Sequence, residues 1–249
     1  RRAILKLWSH PKAGPEEGIA SVKIVLSRKG FDSASGGVAS PILPDGSLLS
    51  LPIPDPAGTV PLAELRPRGV DIGQVVHDLT GGGVSAGTRV HLDPDLEESS
   101  VRRLDGWRPA FGQYSSAQGH LERHEVGAGD LFLFFGWFRQ IELVGGRYRY
   151  VARAPDLHVL FGWLEVGEVL KAEALRTAPP WLHRHPHLDG TTRPRNCIYV
   201  APSRGTHTKG GAGAFARYSD DLRLTAAESA TRSVWRLPAW FLPGEHRPP

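Results

Sequence analysis

The sequence predicts an α+β fold, built on a strand-rich, mixed or antiparallel and partly barrelled sheet with about three helices. Short apolar runs of strand length recur along the chain, and 29 Gly and 21 Pro place turns between them. Few segments have helical spacing, and these do not alternate with the strands as βαβ units would. The chain also lacks an internal repeat of the length that builds solenoids or propellers.

The N-terminal part combines one clear strand with proline-rich connections. Residues 1–21 include HPKAGPEEG and predict an irregular extension ahead of a single domain over 22–249. The run VKIVL at 22–26 predicts a short buried strand. Five prolines between 38 and 56 limit SLLSLPI to an edge strand at most, because proline cannot donate a hydrogen bond to a ladder.

Helices and the remaining strands follow further along the chain. A helix is expected over 71–79, a second over 115–126 with Ser115 or Ser116 as N-cap, and a third from Thr225. The segment 157–170 predicts a strand pair or one long bent strand. The other expected strands are TRVHLDPDL (88–96), GDLFLFFGWF (129–138), the hairpin GGRYRYVAR (145–153) and CIYVA (197–201).

The strands GDLFLFF and HVLFGWLEV, with the hairpin between them, resemble small β-barrels of the PUA, EVE and ASCH types. In those domains a Gly-Asp-apolar strand leads to a second apolar strand. The resemblance implies that a PUA-like element is part of the sheet.

Composition and charge restrict the classes of protein to which the chain can belong. No apolar run approaches the roughly 18 residues of a membrane span, so no membrane partner is expected. A single cysteine, Cys197, excludes an internal disulfide and a cysteine-based zinc cage, which fits a cytoplasmic protein. The net charge of +4 and the sequence pI of about 9.4 permit a nucleic acid partner.

The segment RVHLDPDL carries the first candidate site. His91, Asp93 and Asp95 alternate, so all three face one side if the segment stays extended. A His and an Asp two residues apart on a strand supply two ligands of a two-His-one-carboxylate site for Fe(II) or another divalent transition metal. His158 or His120 is the candidate third ligand, and both join the candidate catalytic residues. The alternative is an Asp-Pro turn with a surface histidine.

A second histidine cluster, HRHPHL, covers 183–188. His183, His185 and His187 occupy alternate positions and would face one side of an extended segment. We expect His183 to be solvated. His185 or His187 is a further candidate metal ligand, in a joint site with His91 and Asp93.

Polar residues near two strand ends are candidates for substrate binding. Gln113, before the second helix, is expected to pair with a base edge or an amide, or else to lie in a capping segment. The loop after the first strand carries Arg28, Lys29, Asp32 and Ser33, which can place cations, a hydroxyl and backbone N–H groups around a phosphate. The alternative is an ordinary polar turn in which Asp32 holds Arg28 or Lys29.

Much of the chain resembles the third of the nucleotide modification associated domain families. The resemblance rests on KIVLSRKGFDSASGGVASPILPDGSLLSLPIPD, HLDPDL, GDLFLFFGWFR, HVLFGWLEV, HPH and WRLPAWF. It implies an α+β fold and a role linked with hypermodification of bases in DNA. The candidate positions that it implies are Arg28, Lys29, Asp32, Ser33, His91, Asp93, Asp95, Gln113, His120, His158, His185 and His187.

Three functional hypotheses follow from these observations. The first is an enzyme that modifies a nucleobase, with a nucleotide or nucleic acid, DNA rather than RNA, as partner. The second is a PUA- or EVE-like reader that binds a modified base without catalysis. The third is a non-haem iron oxygenase that acts on a small molecule or a peptide.

Overall fold

The computed structural model describes the backbone of residues 5–9 and the whole of residues 22–188, 190, 192–208, 210–238 and 241. Its α-helices are α1 (Ile72–Leu79), α2 (Ser115–Arg123) and α3 (Ala172–Arg176). Its strands are β1 (Leu5–Ser9), β2 (Lys23–Arg28), β3 (Ser40–Ile42), β4 (Ile53–Pro54), β5 (Val60–Pro61), β6 (Arg89–His91), β7 (Ala110–Gln113), β8 (Leu131–Val144), β9 (Arg147–Tyr150), β10 (Leu157–Glu165), β11 (Glu168–Lys171), β12 (Cys197–Val200) and β13 (Ala212–Ala214).

A mixed seven-stranded sheet forms the centre of the fold. Its order is β1-β2-β8-β10-β13, and β3 and β9 also pair with β8. β2 and β3 run parallel to β8, whereas β9 and β10 run antiparallel to it. β8 continues past the expected strand end at residue 138 and turns at Gly145-Gly146 into β9, so the predicted hairpin is confirmed.

Two three-stranded sheets complete the β structure, with the orders β11-β12-β7 and β4-β6-β5. β7 is an edge strand, and the chain at 93–95 runs along its free edge. There the Asp95 N–H donates to the Ala110 carbonyl (2.9 Å), and the Ala110 N–H donates to the Asp95 carbonyl (3.0 Å). This pairing brings the end of the β4-β6-β5 sheet against β7, and the candidate site lies at that junction.

An aromatic cluster joins the central sheet to the β11-β12-β7 sheet. The ring of Phe111 on β7 lies 4.9 Å from Phe132 and 5.1 Å from Phe134 on β8, and Tyr199 on β12 lies 4.9 Å from Phe132. All four side chains are almost completely buried. Side chains alternate between the two faces of a strand, and these four point into one core. The packing of Phe111 in that core holds the β7 backbone in place beneath the site.

The α+β class, the mixed sheet and the three α-helices are confirmed, and the described strands close no barrel. The helix expected over 71–79 is confirmed as α1. Asp71 is its N-cap, and the Asp71 side chain accepts from the Gln74 N–H. The third α-helix is α3, and no helix begins at Thr225 in the described residues, so that prediction was wrong. Thr225 instead pairs with Trp235 across a β-bridge, and its hydroxyl donates to the Arg232 carbonyl.

Two further expectations differ from the structure. The N-cap of α2 is Tyr114 rather than Ser115 or Ser116, and no side chain caps the helix. Within the stretch 1–21, residues Leu5–Ser9 form β1 antiparallel to β2, and residues 1–4 and 10–21 lie outside the described residues. In the part of the chain that the structure describes, no helix is long and apolar enough to cross a membrane.

Phe134→Ala tests the importance of the aromatic cluster. We expect it to lower the free energy of unfolding by about 3–5 kcal/mol, because a fully buried ring is replaced by a cavity. Urea denaturation measures the change. Leu143→Ala, at an exposed position of the same strand, is the matched control and should change stability little. Equal losses in the two variants would contradict this account of the core.

Candidate active site

An open cleft of about 780 Å³ lies where the ends of several elements meet. The residues after β2, β4 and β6 form one side of it, and β7 with the start of α2 forms another. A loop that contains His187 and Arg193 completes the wall. The cleft therefore collects residues from segments that lie far apart in the sequence.

Asp93 lies at the floor of the cleft, with a side chain that has 0% exposure. Its Oδ1 accepts from the Gly112 N–H on the free edge of β7 (2.7 Å), and its Oδ2 accepts from Lys29 Nζ (3.0 Å). Burial raises the pKa of this carboxyl, but the charge of the Lys29 ammonium lowers it, and the pKa lies well below its usual range. Asp93 is therefore a buried carboxylate anion.

His91, at the end of β6, turns its Nε2 towards Asp93. Its Nδ1 lies 3.1 Å from Asp55 Oδ2, and because a carboxylate only accepts, Nδ1 carries the proton and donates it. In the neutral ring Nε2 then has a lone pair, and this atom lies 3.7 Å from Asp93 Oδ2. A carboxylate behind a histidine in this way is the usual orienting partner of a metal ligand.

His187 has the same tautomer for a different reason. The Asn196 side chain donates through Nδ2 to the His187 carbonyl (2.8 Å), so its Oδ1 accepts from His187 Nδ1 (2.7 Å). The Nε2 lone pair therefore points away from Asn196. Burial lowers the pKa of His187 to about 3, so the ring is neutral. The ring packs against Gly112, where a Cβ would come within 2.3 Å of it, so this position excludes larger residues.

His185 has the opposite tautomer and is not equivalent to His187. Its Nδ1 accepts from the His187 N–H (3.2 Å), so the proton of the neutral ring is on Nε2. That Nε2–H faces Asp93 Oδ1 at 3.6 Å, which is longer than a hydrogen bond. His185 is therefore placed as a proton donor towards the carboxylate rather than as a metal ligand.

The three groups that present lone pairs converge. One ligand atom from each of His91, Asp93 and His187 lies within 4.8 Å of the other two. Two imidazole nitrogens and one carboxylate oxygen fit a divalent transition metal, and the orienting partners Asp55 and Asn196 are in place. Of the candidate ligands from the sequence, the structure brings together His91, Asp93 and His187.

The loop after β2 is organised by Asp32. The Asp32 Oδ1 accepts from the N–H groups of Ala34 (2.8 Å) and Ser35 (2.7 Å), so those amides are occupied inside the loop. Arg28 lies 3.9 Å from Asp32 Oδ2, and both residues line the cleft, whereas Ser33 is exposed and does not. A phosphate here would meet side chains rather than a cradle of these backbone amides.

Three candidate residues lie away from this cluster. Asp95 turns from it and forms a two-pronged ion pair with Arg103, because the chain does not stay extended beyond His91. His120 lies on α2 with its ring 4.5 Å from His124. His158 packs on the far face of β10, where its Nδ1 accepts from Trp235 Nε1 (2.9 Å).

Other residues of the cleft were not predicted from the sequence. Asp55 and Asn196 orient the two histidines, and Tyr114 and Arg193 line the cleft. Asp55 lies between two prolines, which make it look like a turn residue. Tyr114 follows Gln113 directly, and an aromatic residue beside a candidate base-reading amide was an available signal. Gln113 itself lines the cleft.

Comparison with known proteins gives one match. A model of the family described as nucleotide modification associated domain 3 matches residues 23–248. No curated protein and no solved structure matches the chain.

His158→Gln tests whether this histidine is a buried neutral group. Burial, with Arg28 and Arg232 nearby, lowers the pKa of His158 to about 4. The unfolded chain binds a proton there below about pH 6.5, so stability is lost as the pH falls from about 6.5 towards 4, by up to about 3 kcal/mol.

Urea denaturation over that pH range should show a shallower loss for His158→Gln than for the unmodified chain. His183→Gln, at an exposed position, is the control. An unchanged pH dependence in His158→Gln would show that this ring is accessible to protons in the folded protein.

Proposed function

This chain belongs to the nucleotide modification associated domain 3 family, and on that premise we propose that it is an enzyme that modifies a nucleobase. The reaction takes place in the cleft, on a nucleotide or on DNA. His91, Asp93 and His187 hold a divalent transition metal, and Fe(II) is the ion that this set of ligands suits best.

One observation carries the proposal: His91, His187 and the buried carboxylate of Asp93 each offer one ligand atom, and these three atoms lie within 4.8 Å of one another. Asp55 and Asn196 accept from the two Nδ1 atoms, so in the neutral form of each ring Nε2 is the nitrogen that offers a lone pair. Three ligand atoms held this close around a buried carboxylate suit a bound cation. Structural histidines near a carboxylate normally donate to it instead, as His185 is oriented to do.

The protein residues supply binding, orientation and charge around that centre. Asp93 contributes the negative charge, and the protein keeps it ionised in a buried site. Arg28 lines the same cleft and offers a cation to a phosphate group. A metal held by His91, Asp93 and His187 would supply Lewis-acid chemistry to a substrate group or a small co-reactant in the cleft.

Metal content is the decisive measurement. We expect protein purified without chelators to carry close to one equivalent of a transition metal, measured by plasma mass spectrometry. His91→Ala and Asp93→Asn should lose most of it, because each removes one of three ligands. His183→Ala is the matched control: it belongs to the second histidine cluster, but its ring bonds the Ala178 carbonyl.

Nucleoside mass spectrometry after incubation with DNA or free nucleotides tests the reaction, with His183→Ala as the active reference. Circular dichroism checks that each variant is folded. Stoichiometric metal in His91→Ala, or none in the unmodified chain after reconstitution with Fe(II) or Co(II), would overturn the metal site. Tight nucleic acid binding with neither metal nor a changed nucleoside would favour the reader.

Lys29→Met tests the charge balance of the site. Lys29 Nζ lies 3.0 Å from the same Asp93 oxygen that faces His91, so it competes with a metal for that oxygen. Removing the ammonium should strengthen Co(II) binding about tenfold, as measured by isothermal titration calorimetry. Lys171→Met, which removes an exposed ammonium paired with Glu122, is the control. Weaker binding in Lys29→Met would show that Lys29 supports the site.

A further inference from the structure

We infer that the cleft takes a single unstacked nucleotide, held by Tyr114, Gln113 and Arg193, rather than a base pair inside a duplex. The inference rests on the proposed function and adds the class of substrate. It is carried by three observations: an exposed aromatic ring on the cleft, two buried polar groups without partners, and the depth of the reacting groups.

Tyr114 is an aromatic platform on the cleft wall. It is 42% exposed, and among the described residues it is the only aromatic one in the set of exposed large apolar side chains. Its ring centroid lies 5.6 Å from that of His187, and the Arg193 guanidinium carbon lies 5.6 Å from the same centroid. Because the Arg193 guanidinium lies over one face of the ring, a base would stack on the other face, near a candidate metal ligand and near the positive charge of Arg193.

Gln113 and Ser35 line the same cleft and are almost completely buried, with exposures of 6% and 7%. Gln113 Nε2 and Ser35 Oγ have no hydrogen-bond partner. Gln113 Oε1 accepts from the Tyr114 N–H at 3.4 Å, so Nε2 is the group that remains to donate. Buried polar atoms without partners cost free energy, and an acceptor on a base edge would satisfy Gln113 Nε2 once this side chain turns towards the cleft.

The depth of the reacting groups decides between a stacked and an unstacked base. Asp93 has no exposed side-chain surface, and His187 is 3% exposed. A base inside a duplex presents only its groove edges and cannot reach groups at the floor of a cleft. Enzymes that act on such bases use single strands or rotate the nucleotide out of the stack. The cleft volume of about 780 Å³ suits one nucleotide.

Fluorescence anisotropy with a short labelled DNA oligonucleotide tests the inference, with the probe single-stranded or fully paired. We expect the single strand to bind more tightly than the duplex at the same salt concentration. Tyr114→Ala should weaken binding of the single strand about 5- to 100-fold, because a stacking surface is lost. Tyr114→Phe keeps that surface and should bind as the unmodified chain does.

A second variant separates a ligand-binding role of Gln113 from a structural one. Gln113→Met keeps the length of the side chain and removes the unpaired donor, so single-strand affinity should fall while the melting temperature stays or rises. A fall in both would indicate a structural role and contradict the assignment of Gln113.

The outcomes also distinguish this inference from the proposed function. Metal content should be unchanged in Tyr114→Ala, since Tyr114 supplies no ligand. If metal is bound but duplex DNA binds at least as tightly as the single strand, or if Tyr114→Ala binds normally, the unstacked-nucleotide inference fails and the metal site stands. If the single strand binds as expected but no metal is found, the metal-dependent function fails and the nucleotide site stands. Binding of neither DNA form overturns the nucleotide site.

Discussion

The arrangement around the cleft depends on the buried carboxylate of Asp93. Because a charge without contact with solvent must be balanced, the chain brings Lys29 and the Gly112 N–H to its two oxygens. Lys29 directly follows β2, where its N–H bonds the Phe135 carbonyl of β8, and Gly112 lies on the free edge of β7. The aromatic cluster beneath β7 keeps that edge in place, so the packing of the core is linked directly to the position of the charge.

Hydrogen bonds outside the cluster determine what each nearby histidine can do. Asp55 and Asn196 accept hydrogen bonds from the Nδ1 atoms of two of the rings, whereas Nδ1 of His185 itself accepts from a backbone N–H. Three rings of the same chemical type are therefore bonded in two different ways. The proposed metal site would depend on these orienting partners as well as on the ligands themselves.

The cleft combines this compact charged floor with a wall suited to a larger polar ligand. Tyr114 offers an apolar face, Gln113 and Ser35 offer hydrogen-bonding atoms, and Arg28 and Arg193 offer positive charge. These are the chemical components of a nucleotide: a flat base, its polar edge and its phosphate. They agree with the nucleotide modification that the family description names.

The sequence by itself determined the α+β class, α1, β2 and the β8–β9 hairpin, because these follow from local patterns of apolar residues and turn formers. It also singled out His91 and Asp93. Tertiary structure alone decided that His187 rather than His158 joins them, since the choice depends on which distant segments pack together. Their alternation suggested that His185 and His187 are alike, but the chain there forms a short 3-10 turn. The two rings differ because Asn196 bonds one of them and the His187 N–H bonds the other.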